Sequence, residues 1–294
     1  VLEFNNRGRM WQSTQNFVEV SNDGGASWIA YEVNAEETTS QLFENVKQVN
    51  ISPTAGSQSN VKIRFRYVGS WDYAWMVDEP RIYELPANDV VAQYAWIYEE
   101  NSGGVEFGRT PISQVGNSFD IGGLVYNFGA LNQSNVTLDV SFTGPSAITA
   151  SETIELLESD SSHTYEIITP LDLEVGLYEG TYNYSSDDDT LGDNNILKRN
   201  FEITENVYSL DGIGVYPEED IALSSFGPSS FGEDQLICAV NYTFKNKDTI
   251  SSVRALLTTS SEPGAEIIAY VVSPEGFETG DFGNGFSMSD PYTV

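Results

Sequence analysis

The densest run of ligand-type side chains is Ser185-Ser186-Asp187-Asp188-Asp189-Thr190-Leu191-Gly192-Asp193-Asn194-Asn195. Calcium takes about six to eight hard oxygens, and Asp187, Asp189, Asp193 and Asn195 offer several within one short loop. The spacing departs from an EF-hand, since Leu191 falls on a ligand position and no Glu closes the run. Asp, Asn and Gly are equally the residues of a solvated turn, so the run fits a calcium loop or a plain turn. A second chemistry comes from Trp71, Tyr73 and Trp75, whose alternation puts three rings on one side of an extended segment. Such a row stacks against pyranose rings when exposed. Aromatics also dominate core burial, and Trp75 is the stronger core candidate, with Trp71 nearer the surface beside the Gly69-Ser70 turn.

Catalysis finds few parts. His163 is the only histidine and stands in the polar run Ser159-Asp160-Ser161-Ser162-His163, with no nucleophile elbow to make a triad. One histidine does not build a multi-histidine zinc centre, and Cys238 has no second cysteine beside it. Within Leu236-Ile237-Cys238-Ala239-Val240 that thiol reads as a small buried hydrophobe in a strand, with no activating group beside it. Paired carboxylates are too abundant to single out a glycosidase, and no catalytic residue is assigned.

The charge balance narrows the partners. With 44 acidic and 13 basic residues the net charge is −31, a field that repels phosphate backbones and anionic lipid. Nucleic acid is therefore excluded as a partner. Solubility of an exported protein accounts for the charge, with divalent-cation binding in acidic loops as the sharper alternative. No run of apolar residues is long enough to span a bilayer. A single cysteine leaves no internal disulfide.

The elements that must position these groups read as strands. Apolar content of 40% with 12% aromatic suffices for packed cores, no helical apolar period is sustained, and Gly and Pro punctuate short alternating runs. That pattern predicts an all-β chain, and 294 residues imply two or three domains. Phe17-Val18-Glu19-Val20 alternates, and Asp23-Gly24-Gly25 predicts a hairpin turn with Ser27 and Trp28 opening the return strand. In Asn60-Val61-Lys62-Ile63-Arg64-Phe65-Arg66-Tyr67 the apolar residues face one side and the cations the other.

The pattern Ser21-x-Asp23-x-Gly25-x-Ser27-Trp28 matches the Asp box, which is a structural hairpin. A sialidase would need further boxes and an arginine cluster. The order "VEVSNDGGASW … NVKIRFRY … WDYAWMVDEPRIYE" resembles the second half of the MAM-like jelly-roll modules of secreted Bacteroidota proteins, the choice-of-anchor or cleaved-adhesin type. The resemblance covers residues 1 to about 85. It implies surface recognition or adhesion, export through the type IX system, an extracellular location, and a structural calcium near Asp78, where Glu79 replaces the usual second Asp. Asp189-Thr190-Leu191 and Asp248-Thr249-Ile250 fit the O-glycosylation pattern of exported proteins of that lineage, which marks Thr190 and Thr249.

Leu85-Pro86-Ala87-Asn88-Asp89 is the first candidate linker. Beyond it, strands are expected at 90–99, 135–142, 164–168, 176–184 and 196–203, with Val136, Leu138, Val140 and Phe142 on one face. About seven such strands fit an immunoglobulin-like sandwich. The phrases "LVYNFGALNQSNVTLDVSF" and "FEIT" resemble the Ig-like modules that follow such jelly rolls. From about Val207 the pattern restarts, with strands expected at 238–244, 250–258 and 265–272.

The sequence thus predicts tandem β-sandwich modules: residues 1–86 as the C-terminal part of a jelly roll, 87–206 as an Ig-like sandwich, and 207–294 as an incomplete third module. The opening on Val1 in what looks like mid-domain sequence suggests a piece of a longer polypeptide. The expected role is a non-catalytic segment of a secreted or cell-surface protein, in adhesion or as a spacer, with glycans or surface proteins as partners. The alternatives are a carbohydrate-binding accessory region of a secreted hydrolase or protease, and a structural subunit of a surface filament or secretion assembly.

Overall fold

The computed structural model describes all residues except 12–13, 38–40, 70–72, 101, 103–107, 213–214, 217–236, 258, 260, 262 and 281–286. Alternating residues near the N-terminus form β1 (Leu2–Arg9), β2 (Gln15–Ser21), β3 (Ile29–Val33), β4 (Leu42–Val49), β5 (Lys62–Val68) and β6 (Trp75–Ile82). They pair antiparallel as two three-stranded sheets, in the orders β4-β1-β6 and β3-β2-β5. Leu2, Phe4 and Val49 from one sheet meet Val18, Val20 and Val33 from the other in a common core. Phe4 packs edge-on against Phe65 at 5.0 Å, and Trp75 joins both rings.

The cations of β5 face away from this core, as their alternation requires. Arg64 and Arg66 donate to buried Glu19 at 2.5 and 2.7 Å and cover the rings of Trp28 and Phe17. Burial pushes the Glu19 carboxyl up, but the two guanidinium hydrogen bonds outweigh it and hold it below its ordinary value. At the β2–β3 hairpin, Gly24 and Gly25 take φ of 76° and 101°, the left-handed region that glycine adopts without strain. Asp23 organises the loop. Its Oδ1 accepts from Ala26 N, Ser27 N and Ser21 Oγ, and its Oδ2 accepts from Ser27 Oγ at 2.6 Å. Those bonds, led by Ser27, hold its carboxyl well below the usual carboxylate range.

The middle of the chain forms β7 (Val90–Glu99), β8 (Arg109–Pro111), β9 (Ser118–Asn127), β10 (Gln133–Thr143), β11 (Ile148–Leu157), β12 (Ser162–Pro170), β13 (Gly176–Ser185) and β14 (Ile196–Thr204). A five-stranded sheet of order β11-β10-β13-β14-β8 faces a three-stranded sheet of order β12-β9-β7, and only the short β14–β8 pair is parallel. Val136, Leu138, Val140 and Phe142 do share the buried face, with Tyr178, Tyr182, Phe201 and Ile203 beside them. Buried tyrosines tie the two sheets together. Tyr182 and Tyr184 on β13 donate to the carbonyls of Trp96 and Tyr94 on β7, and Tyr165 on β12 donates to that of Val136 on β10. Each hydroxyl thus keeps a partner inside an apolar core.

The expected linker is fastened to this sandwich. Pro86 O, Ala87 O and Asp89 O accept from the backbone of Ala130, Leu131, Phe128 and Gly129 at 2.8–3.1 Å. Beyond β14 the architecture thins. Two-residue strands β15 (Glu266–Ile267), β16 (Tyr270–Val271), β17 (Ser287–Met288) and β18 (Tyr292–Thr293) pair as β15-β18 and β16-β17, with a short helix over Pro274–Thr279 capped by Ser273. The strands expected at 238–244 and 250–258 do not form among the described residues, and Cys238 is exposed rather than buried. Alternation makes a strand only where a second strand completes the ladder, and here Ile237, Val240 and Leu256 lie in the open. This segment is instead gripped by Gln114, a buried side chain. Its Oε1 accepts from Lys245 N and Asn246 N, and its Nε2 donates to Asn246 O and Asp248 Oδ2. No helix among the described residues is long and apolar enough to cross a membrane.

Candidate functional site

Of the expected aromatic row, the two described members, Tyr73 and Trp75, do not share a face. Trp75 lies against the core with Phe4 and Phe65, its Nε1 donating to Asn6 Oδ1 at 2.6 Å. Tyr73 precedes β6 and is exposed, with the Arg9 guanidinium 4.2 Å over its ring and Trp11 edge-on at 6.4 Å. Strand alternation begins only at Trp75, so it does not extend to Tyr73. Trp71 lies outside the described residues.

The acidic residues separate in the same way. Asp78 is exposed on β6, beside a register shift of the β1–β6 ladder, and its Oδ1 accepts from Glu79 N at 2.8 Å. Asp187 is exposed and accepts from Asn135 Nδ2 at 2.7 Å, and Asp193 is exposed in a 3-10 turn over Gly192–Asn194. Asp189 and Asn195 do meet, Asn195 Nδ2 donating to Asp189 Oδ2 at 2.7 Å. Among the described residues no three His, Cys, Asp or Glu cluster closely enough to hold a metal. Thr190 and Thr249 are both exposed. His163 falls on β12 rather than in a loop, its ring edge-on to Tyr165 at 4.7 Å.

A different aromatic row lies on the three-stranded sheet of the middle sandwich. On β7, Ala95 and Ile97 point into the core, so Tyr94, Trp96 and Tyr98 take the outer face. Their cross-strand partners on β9 are Leu124, Gly122 and Asp120, and on β12 Thr164, Glu166 and Ile168. Tyr94 and Trp96 have ring centroids 5.9 Å apart, and Trp96 and Tyr98 lie nearly parallel at 6.1 Å. Gly122 leaves room for the Trp96 indole, since a Cβ there would stand 2.5 Å from Trp96 Cζ2.

Asp120 clamps the row. Its Oδ1 accepts from Trp96 Nε1 at 3.2 Å, and the same carboxylate acts electrostatically on the Tyr98 hydroxyl. Burial first, and the interaction with Asp120 second, push the Tyr98 hydroxyl up to about 12. Trp96 is 8% exposed and acts as the brace, whereas Tyr94 is 48% exposed and Tyr98 half-buried. The Arg199 guanidinium lies 5.1 Å from the Tyr94 centroid, a cation–π contact that steadies the outermost ring. Glu166, Thr164 and Ile168 are exposed beside the row. The face therefore offers flat apolar rings next to carboxylate and hydroxyl groups that accept hydrogen bonds. Its sequence signal was the same period-two alternation as at 71–75, present in Tyr94-Ala95-Trp96-Ile97-Tyr98.

No family model and no curated protein matches the sequence. A solved β-glucuronidase from Bacteroides uniformis is 12% identical, covering 67% of this chain and 24% of its own, with a TM-score of 0.32. A calcium-binding mutant of β-glucuronidase 2 from that organism gives a TM-score of 0.31, and the same enzyme covalently bound to cyclophellitol-6-carboxylate aziridine gives 0.29, both at 12% identity. This chain spans about a quarter of those proteins' length. Likeness at these TM-scores carries no argument about activity.

Proposed function

We propose that this chain is a non-catalytic binding region of a larger protein, and that the outer face of the β7–β9–β12 sheet receives a neutral saccharide. The carrying observation is the row Tyr94, Trp96 and Tyr98, seated over Gly122 and clamped by Asp120. Pyranose rings present C–H faces that pack on aromatic rings and rims of hydroxyls that donate to carboxylates such as Glu166. Rings two residues apart on one strand favour an extended, ribbon-like chain over a compact branched one. The net charge of −31, with Glu166 at the face, disfavours uronic or sulfated polymers.

This reading unites adhesion to a glycan surface with the accessory-module expectation, since both need a sugar-binding face and neither needs a catalytic group. The resemblance of residues 1 to about 85 to secreted modules supports an extracellular setting for it. Affinity electrophoresis of the chain through gels containing neutral β-glucans, mannans or xylans, with polygalacturonate as the charged control, tests it. Retardation by a neutral polymer that Tyr98→Ala removes supports the reading, and unretarded migration in every gel overturns it.

A further inference from the structure

A second polar cluster joins the entry to β7 with the loop between β13 and β14. Asp89 is 3% exposed, and its Oδ1 accepts from Asn194 Nδ2 at 2.9 Å. Asp189 Oδ2 accepts from the backbone N of Val90, the next residue, at 3.3 Å and from Asn195 Nδ2 at 2.7 Å. The two carboxylates therefore flank one peptide unit, although a hundred residues separate them in sequence. Burial pushes the Asp89 carboxyl up, the Asn194 hydrogen bond opposes it, and the nearby Asp189 charge adds a smaller push upward. Among the described residues no Lys or Arg forms an ion pair with either carboxylate.

Asn195 supplies the independent sign of a missing partner. It is 4% exposed, its Nδ2 is committed to Asp189, and its Oδ1 is buried with no hydrogen-bond donor. A buried amide oxygen left unpaired is costly, and so is a buried carboxylate without a counter-charge. One positive ion among these oxygens removes both costs. Hydrogen bonds from Asn194 Nδ2, Val90 N and Leu191 N hold the two carboxylates in place without neutralising them.

We propose that Asp89, Asp189 and Asn195 Oδ1 form a calcium site that pins the entry of β7 to the β13–β14 loop. Mixed carboxylate and amide oxygens in an irregular arrangement suit calcium, whereas magnesium demands near-ideal octahedral geometry. Asp187 and Asp193, both exposed, take no part, and Asp89 comes from the segment that the sequence presented as a linker. The proposal is independent of the saccharide face.

The experiment is calorimetric titration of calcium chloride into the EDTA-stripped full chain, with magnesium chloride in parallel, and thermal unfolding of the same samples. One saturable calcium site is expected, with a midpoint raised by about 5–10 °C at a hundredfold excess over the dissociation constant. Asp89→Asn and Asp189→Asn each weaken calcium at least about tenfold, Asp187→Asn leaves it unchanged, and Asn195→Asp, which adds a carboxylate, tightens it. Asn195→Asp keeps the test decisive should an Asp→Asn variant fail to fold. The proposal is overturned if the wild-type chain binds no calcium saturably, if both Asp→Asn variants bind as the wild type does, if Asp187→Asn abolishes binding, or if Asn195→Asp fails to tighten it.

Discussion

Gly122 and Gly123 are neighbours on β9 that point to opposite faces of the sheet, and an alanine at either position meets a different obstacle. At Gly122 the new Cβ would lie 2.2 Å from the Tyr165 carbonyl oxygen and 2.5 Å from Trp96 Cζ2. The carbonyl belongs to the adjoining strand and yields little, so the ladder to β12 must open or the indole must leave its seat. At Gly123 the Cβ would lie 1.7 Å from Tyr184 Oη, displacing a hydroxyl that donates to Tyr94 O at 2.8 Å. Overpacking of this kind costs about 1–3 kcal/mol. Loss of the Tyr184 hydrogen bond adds about 1 kcal/mol at Gly123 alone. Gly123→Ala is therefore the worse change, by roughly 2–4 kcal/mol against roughly 1–3 kcal/mol for Gly122→Ala. Urea unfolding followed by tryptophan fluorescence reads both, with a lower midpoint at unchanged slope. A Gly122→Ala chain as stable as the wild type would refute the packing argument, as would Gly122→Ala proving the costlier change.

Two further expectations concern the edges of the fold. Gln114→Ala removes the grip on 245–248 and leaves backbone groups unpaired, so it costs about 2–3 kcal/mol; amide hydrogen exchange at Lys245 and Asn246 should rise while that of β10 does not. The Asp23 carboxyl is depressed in the folded chain, so its contribution to stability is complete above its ordinary value of 3.8 and is lost as pH falls below that towards the depressed value. The urea midpoint of the N-terminal sandwich should therefore drop below pH 3.8, less steeply in Asp23→Asn, and equal slopes in the two chains would count against the hairpin's role.

Where one face of a strand is buried and the other wet, the alternation was readable. The strand expected at 90–99 forms over Val90–Glu99, and β10 buries the four residues that alternation selects. The edge strand β11 (Ile148–Leu157) is not legible because most of its side chains are exposed and Glu152 breaks the alternation of Ile148, Ala150, Ile154 and Leu156. Buried partners far apart in sequence were also hidden. Nothing near Gln114 announces its bonds to Lys245 and Asn246, and Asp89 looks like linker until Asp189 is brought beside it. In the aromatic runs Trp75 was legible as a core residue, but nothing marked Tyr94 and Tyr98 as outward-facing. Trp75 went inward because β1 places Phe4 beneath it, while Tyr94 and Tyr98 stayed outward because Ala95 and Ile97 fill the core side.

The central claim is that the β7–β9–β12 face binds sugar through its rings. Calorimetric titration of the retarding polymer's oligosaccharide into wild-type, Tyr98→Ala and Tyr73→Ala chains tests it most directly. Loss of the Tyr98 contact should weaken binding about tenfold, equivalent to about 1.4 kcal/mol, while Tyr73→Ala stays within about twofold of wild type. Binding that survives Tyr98→Ala and disappears with Tyr73→Ala would contradict the account and move the site to the N-terminal sandwich.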